Sequence, residues 1–317
     1  MNLRLKSVLP VVASLAIIAV AGTVLYRQLS GIDSADVAAR FAALPVMAFV
    51  AAGVFTATAF LSLAIYEVAV LRYVGAATSW RRPFFTALMA YPIGHAVGFG
   101  ALSGGAVRFR LYSAIGLSSF DIGKVVVLSV MPYAAGLGLL AGTGMLVDSA
   151  EAAQYLHVSV NAAKWMGGGL LAAHVVYVAA VLKWRRPLIL RNVQVELPAP
   201  RMTGIQYGLG IVDALCGVAV LYVLLPESAV IGFLPFVAVY VLAIVAGLAS
   251  SVPAGLGVFE SMLLLMLRDV PADQLLGSIL AYRLVYELVP FSLGVGLLLA
   301  YEAWSRRHLA GFGPRRD

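Results

Sequence analysis

The stretch YPIGHAVGFGALSGGAVRFRLY, residues 91–112, narrows most sharply what this chain can become. It is apolar enough to enter a bilayer, yet Gly94, Gly98, Gly100, Gly104 and Gly105 each weaken helix propagation, and Pro92 removes a backbone donor. Arg108 and Arg110 follow the break directly. One plain transmembrane helix is excluded, because irregular backbone at membrane depth survives only where protein buries it or water reaches it. A second apolar run is interrupted in the same manner at residues 247–260, GLASSVPAGLGVFE, by Pro253, Gly255 and Gly257, with Glu260 behind them. Two broken hydrophobic segments in corresponding halves of a chain point to a transporter-like site near the midplane.

The surrounding sequence supplies the setting for these breaks. Hydrophobic residues make up 62% of the 317 and charged residues 12%, against about 25% charged in soluble domains. The expected fold is therefore an all-α polytopic membrane protein forming a single integral membrane domain. Intact apolar runs over residues 7–26, 46–71, 125–146, 165–182, 204–225 and 275–304 are each long enough to approach or exceed the ~20 residues that a bilayer requires. With the broken segments 83–110 and 232–268 as re-entrant helical hairpins, six full spans remain, and residues 33–44 suit a short interfacial helix. Opposed hairpins are also what an inverted-topology repeat produces.

Charge sets the orientation. The loop 183–201 carries Arg185, Arg186 and Arg191, whereas the loop after residue 146 carries Asp148 and Glu151, so the former is expected in the cytoplasm together with both termini. Treating the broken segments as full crossings would carry Arg108, Arg110 and Lys124 to the outside, which favours the hairpins. The net charge of +7 resides in short loops, so anionic lipid headgroups, and not nucleic acid, are the expected partner.

Ionisable groups far from span ends cost about 2.5–3.5 kcal/mol on insertion scales, so each demands a reason. Asp213 lies in the middle of its span, and Arg283 and Glu287 stand at i and i+4 inside the last one, where their side chains meet on one face. Glu260 follows the second break. These groups either neutralise one another or line a substrate path. For Arg283 and Glu287, the pair alone predicts that exchanging the two residues partly restores function. Glu67, close to the end of its span, is read as snorkelling or pairing with Arg72. His95 is read as hydrogen-bonded to backbone, the run 167–169 as a close helix contact, and Cys216, the only cysteine, as packing. The sequence contains no HExxH, no GxSxG, no paired-histidine metal spacing and no Walker-type loop, so neither a cofactor nor a metal is expected.

At residues 102–118, LSGGAVRFRLYSAIGLS, and again at residues 253–260, PAGLGVFE, the chain resembles the membrane region of the multiple peptide resistance factor (MprF) family of lysylphosphatidylglycerol synthase/flippases. The resemblance extends over the whole chain in hydropathy and order. It implies roles for Gly104, Gly105, Arg108, Arg110 and Tyr112 in the first motif and for Pro253, Gly255, Gly257 and Glu260 in the second. The family's soluble aminoacyl-transferase part has no counterpart in these 317 residues, so lipid translocation, not aminoacyl transfer, is what the resemblance implies. A stand-alone relative and a portion of a larger protein both fit. The expected substrate is an aminoacylated or anionic phospholipid, moved from the inner to the outer leaflet of a bacterial inner membrane. Arg108, Arg110 and Arg283 would face its phosphate, and Asp213, Glu260 and Glu287 its ammonium. Further expected partners are a separate synthase or a second copy of the chain. The competing readings are a permease for a small charged metabolite and a membrane scaffold that docks a synthase through its basic loops.

Overall fold

A computed structural model describes residues 44–97, 100–183, 188–190, 193–195, 197–249 and 253–310. The expected first span, the interfacial helix expected from residue 33, and Arg185, Arg186, Arg191, Arg315 and Arg316 lie outside the described residues. The described chain is helical apart from one small hairpin. In order it forms α1 (Val46–Tyr73), α2 (Arg81–Val97), α3 (Gly100–Ser113), α4 (Ser119–Val147), α5 (Ser149–Leu156) and α6 (Val160–Lys183). Strands β1 (Leu188–Leu190) and β2 (Val193–Val195) then pair antiparallel, with Leu188 opposite Val195. The second half contains α7 (Pro200–Val223), α8 (Phe233–Ala249), a 3₁₀ turn at Pro253–Gly255, α9 (Val258–Met266), α10 (Ala272–Tyr282), a π-helical stretch at Arg283–Leu288 and α11 (Val289–Ala310).

Five helices among the described residues are long and apolar enough to cross a membrane: α1, α4, α6, α7 and the continuous run Ala272–Ser305. They coincide with the intact spans expected from the sequence. The broken segments behave differently. At about 1.5 Å per residue, the 17 residues of α2, 14 of α3, 17 of α8 and 9 of α9 all fall short of the ~30 Å hydrocarbon core. Each pair folds back on itself. Ala90 of α2 lies against Gly104 of α3, and the Cα atoms of Gly247 and Gly255 approach so closely that a Cβ on Gly255 would stand 3.0 Å from Gly247 Cα. The second helix of this hairpin already begins at Gly100, so Gly104 and Gly105 do not form the break, as expected from the sequence, but lie inside α3.

Counting crossings places the two hairpin mouths on opposite membrane faces, and contacts between loops agree. On one face the Ala199 N–H donates to Tyr73 Oη at 3.2 Å, joining the end of α1 to the start of α7. On the other, the Gly232 N–H donates to Glu151 at 2.9 Å, and Tyr155 Oη donates to the Val230 carbonyl at 2.8 Å. The acidic segment expected as a loop is the helix α5.

Helix α4 is the hub, and its glycines explain why. Gly136 meets the backbone of Gly210 on α7, Gly142 meets Gly167 on α6, and Gly144 meets the Leu234 carbonyl on α8. Small residues let helix backbones touch where lipid provides no hydrophobic drive for association. Of the 167–169 run, only Gly167 makes the expected close contact; Gly168 and Gly169 face open space. Within α4, Pro132 leaves the Leu128 carbonyl without its helical donor, and Tyr66 Oη donates to it at 3.0 Å.

Gly210→Ala is expected to lower stability by about 1–3 kcal/mol, because its methyl would collide with the Pro132 backbone and overpack the crossing. Gly168→Ala, with nothing near its added carbon, is expected to leave the thermal midpoint in detergent unchanged or higher. Equal midpoints for the two variants would contradict the tight crossing.

Candidate functional site

The first hairpin presents Arg108 to the protein interior. Because α2 and α3 touch at Ala90 and Gly104, Arg108, one turn later, comes to lie with its guanidinium 4.5 Å from the centre of the Tyr91 ring. Its Nε and Nη2 donate to the two oxygens of Glu67 on α1 at 2.8 and 2.9 Å. Tyr112 Oη donates to the same carboxylate at 2.8 Å, and the Ser129 hydroxyl of α4 lies 3.2 Å from it. Glu67 is fully buried and Arg108 is 3% exposed. Snorkelling and pairing with Arg72 are thereby corrected: Glu67 holds three helices, α1, α3 and α4, together. Arg110, two residues on and so on another face of α3, donates through Nη2 to Glu302 of α11 at 3.0 Å.

The second hairpin owes its shape to the residues of PAGLG. Ala254, Gly255 and Gly257 have φ values of 53°, 61° and 80°, and such left-handed backbone is readily adopted by glycine, while Ala254 is the exception. Glu260 closes the first turn of α9 by accepting the Gly257 N–H at 2.7 Å through Oε2. Its other oxygen accepts from Arg283 Nε at 2.8 Å. Arg283 Nη1 also donates to the Ala254 carbonyl at 3.0 Å and to Glu287 at 2.7 Å. One guanidinium therefore ties the hairpin turn, α9 and the last span together. The span is widened into π-helix over these residues, a deviation that concentrates at functional sites.

Between the hairpins lies a band of aromatic and polar groups. Tyr240 of α8 and Tyr282 share a hydrogen bond of 2.7 Å, and Tyr282 stacks on Tyr286 at 5.3 Å between ring centres. His95 of α2 stands among Phe60, Tyr133 and Tyr286, at 5.8, 6.0 and 6.4 Å between ring centres. Asp213 of α7 is fully buried, and among the described residues neither of its oxygens has a hydrogen-bond partner; Tyr286 Oη is likewise unpartnered. Tyr133 lies within electrostatic reach of both Asp213 and Glu287.

The structure thus brings Glu260, Arg283 and Glu287 together, sets Arg108 with Tyr112 in a separate network, sends Arg110 to Glu302, and leaves Asp213 without a donor among the described residues. The arginines and carboxylates are interleaved as ion networks; they do not form two opposed sets. Sequence reading gave Glu67 the wrong partner and missed Glu302. The signal for Glu67 was the one applied to Asp213, a carboxylate inside an apolar span, strengthened by the need of a buried arginine for a partner.

No family model matches the chain. It is 25% identical to the phosphatidylglycerol lysyltransferase of Staphylococcus aureus over an alignment that covers 99% of this chain and 37% of that protein. It is 26% identical to the inner membrane protein YbhN of Escherichia coli over 210 residues, 65% of each chain. An alignment of 243 residues with the uncharacterized protein slr0712 of Synechocystis sp. is 30% identical and covers 76% of both chains. Taken with the shared length, that similarity establishes that this polytopic membrane protein belongs to the family of slr0712.

Proposed function

We propose that this chain translocates a phospholipid with an amine-bearing headgroup, of the aminoacylated phosphatidylglycerol type, from the inner to the outer leaflet. The observation that carries the reading is the meeting of two half-span hairpins around buried charge. α2 packs against the Pro253–Gly255 turn, so the two broken segments meet. Around that junction three carboxylates, Asp213, Glu260 and Glu287, accompany one guanidinium, Arg283. A transiting ammonium supplies the donor that Asp213 lacks, while the acyl chains stay in lipid. The match of the whole chain to part of a protein named for lysyl transfer to phosphatidylglycerol supports this lipid class. By the positive-inside rule, the face carrying Arg72, Arg81, Arg82 and Arg201 is cytoplasmic. The Escherichia coli relative is named an inner membrane protein, and we place this chain in the same kind of membrane.

The test is reconstitution into vesicles with fluorescent lysyl- or alanyl-phosphatidylglycerol and with phosphatidylglycerol itself. Wild-type protein is expected to expose the aminoacylated lipid faster, and Asp213→Asn, which keeps the shape and removes the charge, to narrow the difference. Equal rates for both lipids would overturn the amine selectivity. Acceleration of neither would overturn translocation.

A further inference from the structure

On an exposed side of the described helices, α1 and α7 enclose an open groove of about 390 Å³. Its walls are Ile65, Val68 and Ala69 from α1 and Ile205, Gly208 and Leu209 from α7. At 100° per residue, the face of α1 carrying Ile65, Ala69 and Arg72 is opposite the one carrying Glu67, so the groove shares nothing with the first hairpin's network. Gly208 keeps it open, because a Cβ there would meet nothing within 4 Å.

The groove is apolar along its length and cationic at its end. Arg72, in the last turn of α1, lines it and is exposed. Arg201, in the first turn of α7, is exposed and lies four residues before Ile205, on the same helix face. The hydrogen bond between Tyr73 and Ala199 puts both arginines at one membrane face. An apolar trench of this volume falls within the range of ~300–1,000 Å³ typical of ligand sites. An acyl chain matches the trench, and an anionic headgroup matches the two arginines at its mouth.

We infer that this groove is a binding site for one anionic phospholipid of the leaflet on the arginine-rich face, with a chain between α1 and α7 and its phosphate at Arg72 and Arg201. The inference is independent of translocation, because occupancy is a binding property that can be read without any transport assay. Charge selects the lipid over a second copy of the chain, which would bring the same two arginines against these.

The experiment is native mass spectrometry of the full chain in detergent, titrated with dioleoyl-phosphatidylglycerol or dioleoyl-phosphatidylcholine. Wild-type protein is expected to retain one phosphatidylglycerol in preference to phosphatidylcholine. Arg72→Gln and Arg201→Gln are each expected to weaken that binding about fivefold, the worth of one basic residue beside an anionic surface. Gly208→Leu puts a branched side chain into the trench from a position whose Cβ would meet nothing within 4 Å, and is expected to abolish the retained lipid while the lipid-free melting midpoint holds. Equal retention of the two lipids, unchanged binding in Gly208→Leu, or a lipid-free dimer that Gly208→Leu disrupts would each overturn the proposal. Should Gly208→Leu fail to fold, the two glutamine variants, which leave the packing untouched, decide alone: unchanged affinity in both overturns it.

Discussion

Glu67→Ala is expected to destabilise the protein by about 3–5 kcal/mol, the usual consequence of removing one partner from a buried ion pair. The size follows from what is left behind. Arg108 is 3% exposed and keeps its position on α3 because α2 and α3 touch at Gly104, so the guanidinium has no route to water. Tyr112 loses the acceptor of its hydroxyl at the same time. The measurement is the yield of monodisperse protein on gel filtration together with the thermal midpoint in detergent, both of which should fall sharply. Glu67→Ala/Arg108→Ala should regain much of the loss, since it removes the stranded charge as well. A single variant that melts with wild type, or a double variant no better than the single, would mean that the pair does not hold the first hairpin.

Arg283→Ala is expected to abolish transport and to destabilise by a similar ~3–5 kcal/mol. Glu260 and Glu287 would face each other without a cation, and the Ala254 carbonyl would lose its donor, releasing the turn of the second hairpin from the last span. Arg283→Lys keeps the charge, but a single ammonium does not reproduce the planar fork that reaches Glu260, Glu287 and the turn together, so partial activity is expected. The structure also reverses the expectation that follows from the i, i+4 pair alone. Exchanging Arg283 and Glu287 would set a carboxylate at position 283 beside Glu260, so the exchange is expected to fail. Full transport by normally expressed Arg283→Ala protein, in the assay with fluorescent lipids, would remove this network from the mechanism.

These two networks differ in how far they could be read in advance. Arg283 and Glu287 share one helix, and helical spacing alone brings them together. Glu260 is 23 residues away in sequence, and its place beside Arg283 depends on the reversal of chain between α8 and α9. The link between Arg108 and Glu67 spans 41 residues and three helices, which is why a local reading assigned Glu67 to Arg72 instead. Glu302 is 192 residues from Arg110, beyond the reach of any spacing argument.

Hydropathy and the positions of glycine and proline determined that the chain is a polytopic helical membrane protein, that its intact spans lie where α1, α4, α6, α7 and the last long helix stand, and that two segments are broken. Those properties are local: a bilayer sorts residues by length and polarity of each segment, one at a time. Where the first segment turns, which glycines mark helix crossings and which carboxylate receives each arginine were decided only by tertiary structure. Gly104 and Gly168 are the same residue in sequence, yet one lies against the Ala90 carbonyl and the other faces open space. The choice depends on which surfaces of other helices arrive at that position, and a buried charge takes the partner that packing delivers to it, not the one nearest in the chain.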